Sequence, residues 1–374
     1  MRYRILVDGK DIYYQGDEEY VIINPEITVG INQAGMAKFG VPGINPECDS
    51  ILNRKSMITV FKNEVEVFYG EARTQTLEMG KAKQVVAVGV LSFLNDSIQP
   101  QKNYGEDISA EGFIDKVLAV HNQQMLGVSR KIIRKGRIYI PDDEHYSIPM
   151  ITDRETTLEA IKKNILDLFL DLYGEELEIR IRHDNNELYL DIFPFGEITV
   201  DNPQVIQMGD NIIDALLEYN AEDIKTVVIP LGAKLEDDGS GFEKRVTIKT
   251  VNNNKEYLVN NETKNRYGAV WTTVIFDDIE EPVDLFTAGS GYLYEKQFEN
   301  AIFKITAVDL AAVDISISPF YLGQRVQLYS YAASGQYYIV EMTMKPLAPE
   351  DEKIIFSGNA RTRRTTLTSL IRGR

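Results

Sequence analysis

The chain has a single cysteine, Cys48, among 374 residues. One thiol forms no intrachain disulfide and no thiolate metal cluster. Histidine is nearly as scarce. His121, His145 and His183 are the full set, and none has a second histidine, cysteine or acid at a recognised metal-ligand spacing. Tryptophan occurs once, at Trp271. No apolar run approaches the roughly 18 residues of a membrane-spanning helix. The first residues, MRYRILVDGKDIYY, lack the apolar core of a signal peptide and read as a strand. The expectation is a protein made and folded in the cytoplasm. Basic charge is also short: 40 Lys and Arg against 57 Asp and Glu leave a formal charge of −17. That argues against a basic groove gripping nucleic acid through its phosphates, and leaves open a surface past which nucleic acid slides.

Signatures of chemistry are missing too. There is no G-x-S-x-G elbow and no P-loop lysine motif. Gly239-Ser240-Gly241 and Gly289-Ser290-Gly291 are turn signals, too short to cradle phosphate. Asp237-Asp238-Gly239 lacks the acidic spacing and closing glutamate of a calcium loop. Asp277, Asp278, Glu280 and Glu281 form the densest acid cluster. A metal or glycosidase role would need those carboxylates to converge in space, so the cluster reads as a solvated or lumen-facing loop. His121 reads as a capping or core-edge residue, His183 as the residue before a hairpin turn, and Trp271 as core. No catalytic residue, cofactor or metal site is predicted.

What is present is ordinary for a folded chain: 44% hydrophobic and 26% charged residues. The length argues for about two to four domains. Residues 1–103 read as all-β. Arg2–Val7 alternates, Ile22–Gly30 is strand-like with a break at Asn24-Pro25, Met57–Tyr69 is a hairpin turning near Lys62-Asn63, and Gln84–Leu91 is a buried apolar run. Such short strands suggest a small barrel or sandwich. Ala34–Glu47, rich in Gly and Pro, reads as a long surface loop.

The pattern changes at Ser109. Phe113, Val117 and Val120 recur at helical spacing. Lys131–Ile140 follows, with Gly136 inside. Thr156-x-x-Glu159 is a capping box, and Leu158, Ile161, Ile165, Leu168, Phe169 and Leu172 form one apolar stripe. Leu177–Ile181 and Leu188–Ile192 alternate around Asp184-Asn185-Asn186. Residues 104–197 therefore read as an inserted α/β domain.

Asp210 can cap a short helix over Ile212–Leu217. The chain then returns to β. Thr226–Ile229 and Arg245–Lys249 flank a Gly-rich acidic loop, with Pro230 expected to end or kink the first strand. Tyr267–Phe276 is strand-like, and Tyr292–Asn300 reads as a helix. Phe303–Leu310, Gln324–Ser330 and Tyr337–Met344 read as strands. Asn359–Arg374 carries Arg361, Arg363, Arg364, Arg372 and Arg374 and no acid, the pattern of a solvated terminus or an interaction arm.

Several stretches, in this order, resemble the prophage endopeptidase tail, or tail-associated lysin, family of phage tail hubs, which is similar to the baseplate hub of contractile-tailed phages. They are Val60–Asn63 with Val67–Gly70, Leu91–Ser97, His121–Gln123, Gly136–Ile138 and Met208–Asn211. Ile229–Ala233, Thr247-Ile248, Val251-Asn252, Tyr267-Gly268, Ala307–Leu310 and Leu322–Val326 complete the series. The resemblance runs over roughly residues 1–350. It implies an α+β, mostly β chain with two small antiparallel β-barrel hub domains and an α/β insertion. The first barrel takes 1–103 with about 198–225, the inserted domain 104–197, the second barrel 226–350, and an Arg-rich tail 351–374.

The resemblance also implies a homotrimer whose six barrels join a tail tube hexamer or distal tail protein to a three-fold tip. Its neighbours would be a tape measure protein and downstream tip or receptor-binding proteins, with DNA passing without specific binding, at the tip of a virion tail. In longer family members the peptidase or lysin activity sits in modules after the hub. The chain ends at Arg374, so a hub without enzyme activity is expected. The alternatives are a cell-wall-degrading tail endopeptidase and a receptor- or carbohydrate-binding tail protein. Glu236, Asp237, Asp238, Asp277, Asp278, Glu280 and Glu281 are the candidates for the channel or a subunit contact. Arg361, Arg363, Arg364, Arg372 and Arg374 are the candidates for partner binding.

Overall fold

A computed structural model describes residues 2–76, 82–105, 108–140, 149–173, 176–220, 224–235, 243–277, 279–296, 300–312, 314, 316–329 and 334–357. The chain separates into two compact units, Met1–Leu216 with Phe303–Arg374, and Leu217–Ile302.

The first unit opens with seven strands: β1 (Tyr3–Val7), β2 (Lys10–Tyr14), β3 (Ile23–Gly30), β4 (Met36–Val41), β5 (Met57–Lys62), β6 (Val65–Thr76) and β7 (Lys83–Gly89). They lie side by side in the order β3-β4-β7-β6-β5-β1-β2. Alternation buries Tyr3, Ile5 and Val7 of β1 on one face. The β5–β6 turn places Asn63 and Glu64 both in the left-handed region, the twist that two-residue hairpins favour. The break read at Asn24-Pro25 is a register shift between Ile23 and Glu26. The loop expected over Ala34–Glu47 instead holds β4. Ala37, Phe39 and Val41 are buried there, between β3 and β7. The Gly and Pro signals mark only the ends of that strand, at Gly35 and Pro42.

The α/β stretch follows the sequence reading closely. A short bridge pairs β8 (Lys102–Asn103) with β10 (Ile151–Thr152). Between them lie α1 (Ala110–Gln124), capped by the Ser109 side chain, and β9 (Ile133–Ile138). Thr156 and Glu159 form the expected capping box on α2 (Thr157–Ile161). The helix is not uniform: a π-helical segment, Lys162–Asp167, precedes α3 (Leu168–Tyr173). Asn164 accounts for the widened turn. Its amide donates to the Ala160 carbonyl at 2.9 Å and also bonds both backbone groups of Ile151. Next, β11 (Leu177–Asp184) and β12 (Glu187–Pro194) form the predicted hairpin, and β9 lies parallel to β12. Phe113, Val117, Ile161, Ile165, Phe169, Ile179, Leu190 and Ile192 lie in one core.

Past this stretch, β13 (Ile206–Gln207) leads to β14 (Ile212–Asn220). The helix expected from Asp210 is therefore a strand. Asn211 bonds Gln207 N and Val205 O to close a tight turn, and a sheet neighbour then overrides local helix preference.

In the second unit, β15 (Val227–Lys234) pairs with β16 (Arg245–Thr247) and β17 (Leu258–Val259) on one side. After α4 (Asn261–Tyr267), β18 (Trp271–Ile275) pairs parallel on the other. Pro230 does not end its strand. The Leu231 carbonyl accepts from Phe276 N, so Leu231 faces β18 and Pro230 faces the opposite side. There β17 meets β15 only at Val227 and Val228, and β16 only from Leu231 onward. The missing proline N–H falls in that gap and breaks no ladder bond.

The last helix, α5 (Pro282–Glu295), starts ten residues before the expected Tyr292, with Pro282 in its first turn. Gly289 is not a breaker here. A Cβ on it would lie 2.8 Å from Pro230 Cγ, so close packing of helix on strand requires glycine. Val228, Ile248, Leu258, Leu285 and Leu293 form the core of this unit.

Four strands complete the first unit's sheet: β19 (Asn300–Ala307), β20 (Arg325–Tyr329), β21 (Ser334–Met344) and β22 (Lys353–Ser357). The sheet has 13 strands, in the order β14-β19-β22-β21-β3-β4-β7-β6-β5-β1-β2, with β20 on β21 and β13 on β20. The two ends of the chain meet where β21 pairs with β3, Glu341 opposite Gly30. The stretch expected as one barrel, 226–350, thus divides. Val227–Ile275 builds a separate sheet, and β19–β22 join the sheet that starts at Tyr3. Residues Lys353–Ser357, read as tail, are a strand of that sheet. Among the described residues no sheet closes on itself. The architecture is mostly β, with few helices.

Candidate functional site

Of the acidic candidates, Asp277, Glu280 and Glu281 are described and exposed. Glu236, Asp237, Asp238 and Asp278 lie outside the described residues, as do His145 and Arg361, Arg363, Arg364, Arg372 and Arg374. Asp277 follows β18 and pairs with Arg245 Nη1 at 2.5 Å. Glu281 precedes α5, where its carbonyl accepts from Leu285 N. These carboxylates do not converge on a point. No group of three metal-ligating side chains occurs among the described residues.

One arrangement has the look of a nucleophile and base. Ser97 Oγ lies 2.7 Å from His121 Nδ1. The surrounding bonds fix every direction. His121 Nε2 faces the Lys131 carbonyl at 2.9 Å and so carries the proton, which leaves Nδ1 to accept from Ser97. Ser97 in turn accepts from Thr157 at 2.6 Å, and Thr157 accepts from the Gln99 amide at 2.7 Å. Burial pushes the His121 pKa down and keeps the ring neutral. Ser97, His121, Gln99 and Thr157 are all fully buried. A relay with no access to solvent and both imidazole nitrogens engaged ties α1 to α2; it does not attack a substrate. His121 is thus a core residue, deeper than the core edge expected of it.

The strongest electrostatic feature was not anticipated. Lys62 is completely buried at the end of β5, with Nζ 3.0 Å from Asp309 Oδ2, 3.6 Å from Glu352 Oε2 and 3.3 Å from the Phe320 carbonyl. Asp309 also accepts from Phe320 N, Ala311 N and Gln204 Nε2. Glu352 accepts from the Tyr3 hydroxyl at 2.5 Å. Burial, then the charge and hydrogen bond of Glu352, hold the Tyr3 pKa well above its ordinary value. This cluster pins β1 and β5 to segments from the far end of the chain. A signal existed: Lys62 shares strand parity with the buried Ile58 and Val60, so period two already placed it inward.

A second ionic cluster fastens the α/β stretch to β6. Glu71, fully buried, meets Arg73 at 2.9 Å, Arg130 at 3.2 Å and Lys131 at 3.3 Å. Lys131 also reaches Asp96 at 2.6 Å. Burial pushes Asp96 up, but hydrogen bonds from Lys131 and Arg73 outweigh it and leave the carboxyl below its ordinary value. His183 adds a third tie, stacked on Tyr69 at 3.8 Å and bonded to Glu66 at 2.9 Å. Trp271, expected in a core, is instead 53% exposed and meets Tyr257 edge-on.

Every one of these features holds the chain together or presents surface, and comparison with known proteins points the same way. Residues 200–366 match the model of the family described as prophage endopeptidase tail. The fold matches the 43 kDa tail protein of prophage MuSo2 from Shewanella oneidensis with a TM-score of 0.59 at 10% identity, over 96% of this chain and 98% of that one. The chain is phage-tail-like in sequence and in fold. A tail protein from Neisseria meningitidis MC58 matches with TM-score 0.59 at 11% identity, over 96% of this chain and 97% of that one. Prophage tail protein gp18 from Listeria monocytogenes EGD-e matches with TM-score 0.52 at 14% identity, over 99% and 98%. At such identities the likeness is one of fold. No curated protein sequence matches the chain. The resemblance to a phage tail family drawn from the residues therefore stands. No helix among the described residues is long and apolar enough to cross a membrane.

Proposed function

We propose that this chain is a structural tail-tip or baseplate hub without enzyme activity. Three copies form a ring that adapts a six-fold tail tube or distal tail protein to a three-fold tip. The observation that carries this reading is the tail-protein fold over nearly the whole chain, with a 13-stranded sheet built from both chain ends. In this proposal β1–β7 form one half of that sheet. β13, β14 and β19–β22 form the other, and the two stand in for the paired hub barrels, meeting at β3 and β21. Three copies then supply six such halves, matching a hexamer above.

The net charge of −17 suits a channel wall past which DNA slides, because like charges repel. The Glu236-Asp237-Asp238 loop and the Asp277, Asp278, Glu280 and Glu281 cluster are the proposed channel-wall or subunit-contact residues, and the arginine-rich end is the proposed arm that binds a partner. The tape measure protein and a downstream tip or receptor-binding protein are the proposed neighbours along the axis. Immunogold labelling of intact tails tests the placement: label at one end is expected, and label along the tube contradicts it.

The buried Ser97–His121 pair favours no peptidase. A zymogram on cell walls is expected to show no clearing, and clearing would restore the lysin reading.

A further inference from the structure

We propose that Lys62 and Asp309 join in an amide bond that the folded chain makes by itself, with Glu352 carrying the protons. All three side chains are buried and belong to the first unit. Lys62 Nζ lies 3.0 Å from Asp309 Oδ2, so nucleophile and carboxyl are already held together. The Phe320 carbonyl accepts from Nζ at 3.3 Å and orients it. Two further features set this apart from an ordinary ion pair. Asp309 Oδ1 accepts from Gln204 Nε2 at 3.0 Å and from Ala311 N at 3.1 Å. Those fixed donors sit where negative charge builds when Nζ adds to the Asp309 carboxyl carbon. Glu352 supplies the second feature. Its Oε1 accepts from the Tyr3 hydroxyl, but Oε2 is buried without a hydrogen-bond partner among the described residues, 3.6 Å from Nζ. A buried oxygen left without a donor is costly, and this one stands where a proton carrier is needed.

The step balances without an oxidant or co-reactant. Glu352 Oε2 takes one proton from the Lys62 ammonium and passes it to Asp309 Oδ2. The amine then attacks the carboxyl carbon, and Oδ1 holds the negative charge. Glu352 moves a second proton from Nζ to Oδ2, the bond from carbon to Oδ2 breaks, and water leaves. The third proton stays on the amide nitrogen. The charges of Lys62 and Asp309 cancel, and Glu352 ends as the carboxylate it began as. Tyr3 and Phe320, both buried beside the cluster, keep out the water that would reverse the step. The bond ties β5, near the start of the chain, to a residue 247 positions later. It covalently closes the region where the two chain ends share one sheet. The chemistry does not depend on the hub reading: a chain that never forms a ring can make this bond, and a ring can form without it.

Mass spectrometry of the full chain tests the proposal. After prolonged incubation of the folded protein, the denatured chain is expected to weigh less than its sequence by one water. Trypsin does not cut after an acylated lysine. The digest is therefore expected to contain Ser56–Arg73 joined to Ile305–Arg325, with fragment ions that place the link at Lys62 and Asp309. An E352Q variant that keeps the wild-type circular dichroism spectrum is expected to retain its full mass, because an amide cannot carry the proton. K62R is expected to do the same. A full-mass wild-type chain that yields Ser56–Lys62 as a free peptide overturns the proposal. So does a loss of water mapped to any other site while Lys62 stays free. Linking in E352Q at the wild-type level overturns the role given to Glu352. The wild-type chain carries the decision, so a variant that fails to fold does not obscure it.

Discussion

The two units solve the problem of holding a β-sheet together in different ways. In the first, charge goes inside: Lys62 with Asp309 and Glu352, and Glu71 with Arg73, Arg130 and Lys131, lock distant segments to one another. In the second, a four-stranded sheet packs on one helix, α5, over a small core, and its ion pairs keep an exposed partner, such as Asp277 with Arg245. A buried ion pair adds little net stability over an apolar replacement, yet losing one partner is severe. The first unit is thus specified by particular partners, and the second by close packing. Among the described residues, a strand edge without a second neighbour, that of β18, and the exposed Asp277, Glu280 and Glu281 both lie on the second.

That contrast can be broken most sharply at Lys62. Lys62→Met leaves two buried carboxylates uncompensated and is expected to cost about 3–5 kcal/mol in urea unfolding; a loss below 1 kcal/mol would put the ionic pin in doubt. Leu285→Ala, in the small core, is expected to cost about 2–5 kcal/mol. Hydrogen exchange should show faster exchange confined to Leu217–Ile302; uniform acceleration would mean the units do not unfold separately. Thr156→Ala removes one half of the capping box and is expected to cost about 1 kcal/mol, read as a small drop in melting temperature.

His121 predicts a pH effect with a definite sign. Its folded pKa lies below the ordinary 6.5, so the unfolded chain takes up the proton first. Stability is expected to be level above 6.5, to decline as pH falls below it, and to level again under the folded pKa. A His121→Gln variant should lose that part of the decline. The smallest effect is expected at the surface of the second unit. Asp277→Asn breaks a pair with one exposed partner and should leave thermal melting unchanged.

Much of the fold was legible, for reasons that lie in particular residues. Thr156 with Glu159 and Asn185 with Asn186 act locally, and that cap and that turn formed as read; the hairpin turn read at Lys62-Asn63 formed one residue later, at Asn63-Glu64. Where a tertiary neighbour decides, local reading failed. Ile212–Asn220 has helical composition but takes a strand's place beside β19. Met36–Val41 hides between glycine and proline signals yet fills a slot between β3 and β7. Pro230 and Gly289 look like breakers singly, and their meaning lies in touching each other. The ionic cluster was half legible: strand parity turned Lys62 inward, but nothing local names Asp309 and Glu352, which lie over two hundred residues away. The candidate surface was legible as an acidic run after a strand.

The central claim, a ring of three copies, is tested most directly by mass in solution. Sedimentation velocity over a range of concentrations is expected to reach a species of three times 42.4 kDa. A chain that stays monomeric at every concentration, or settles as a dimer, would contradict it.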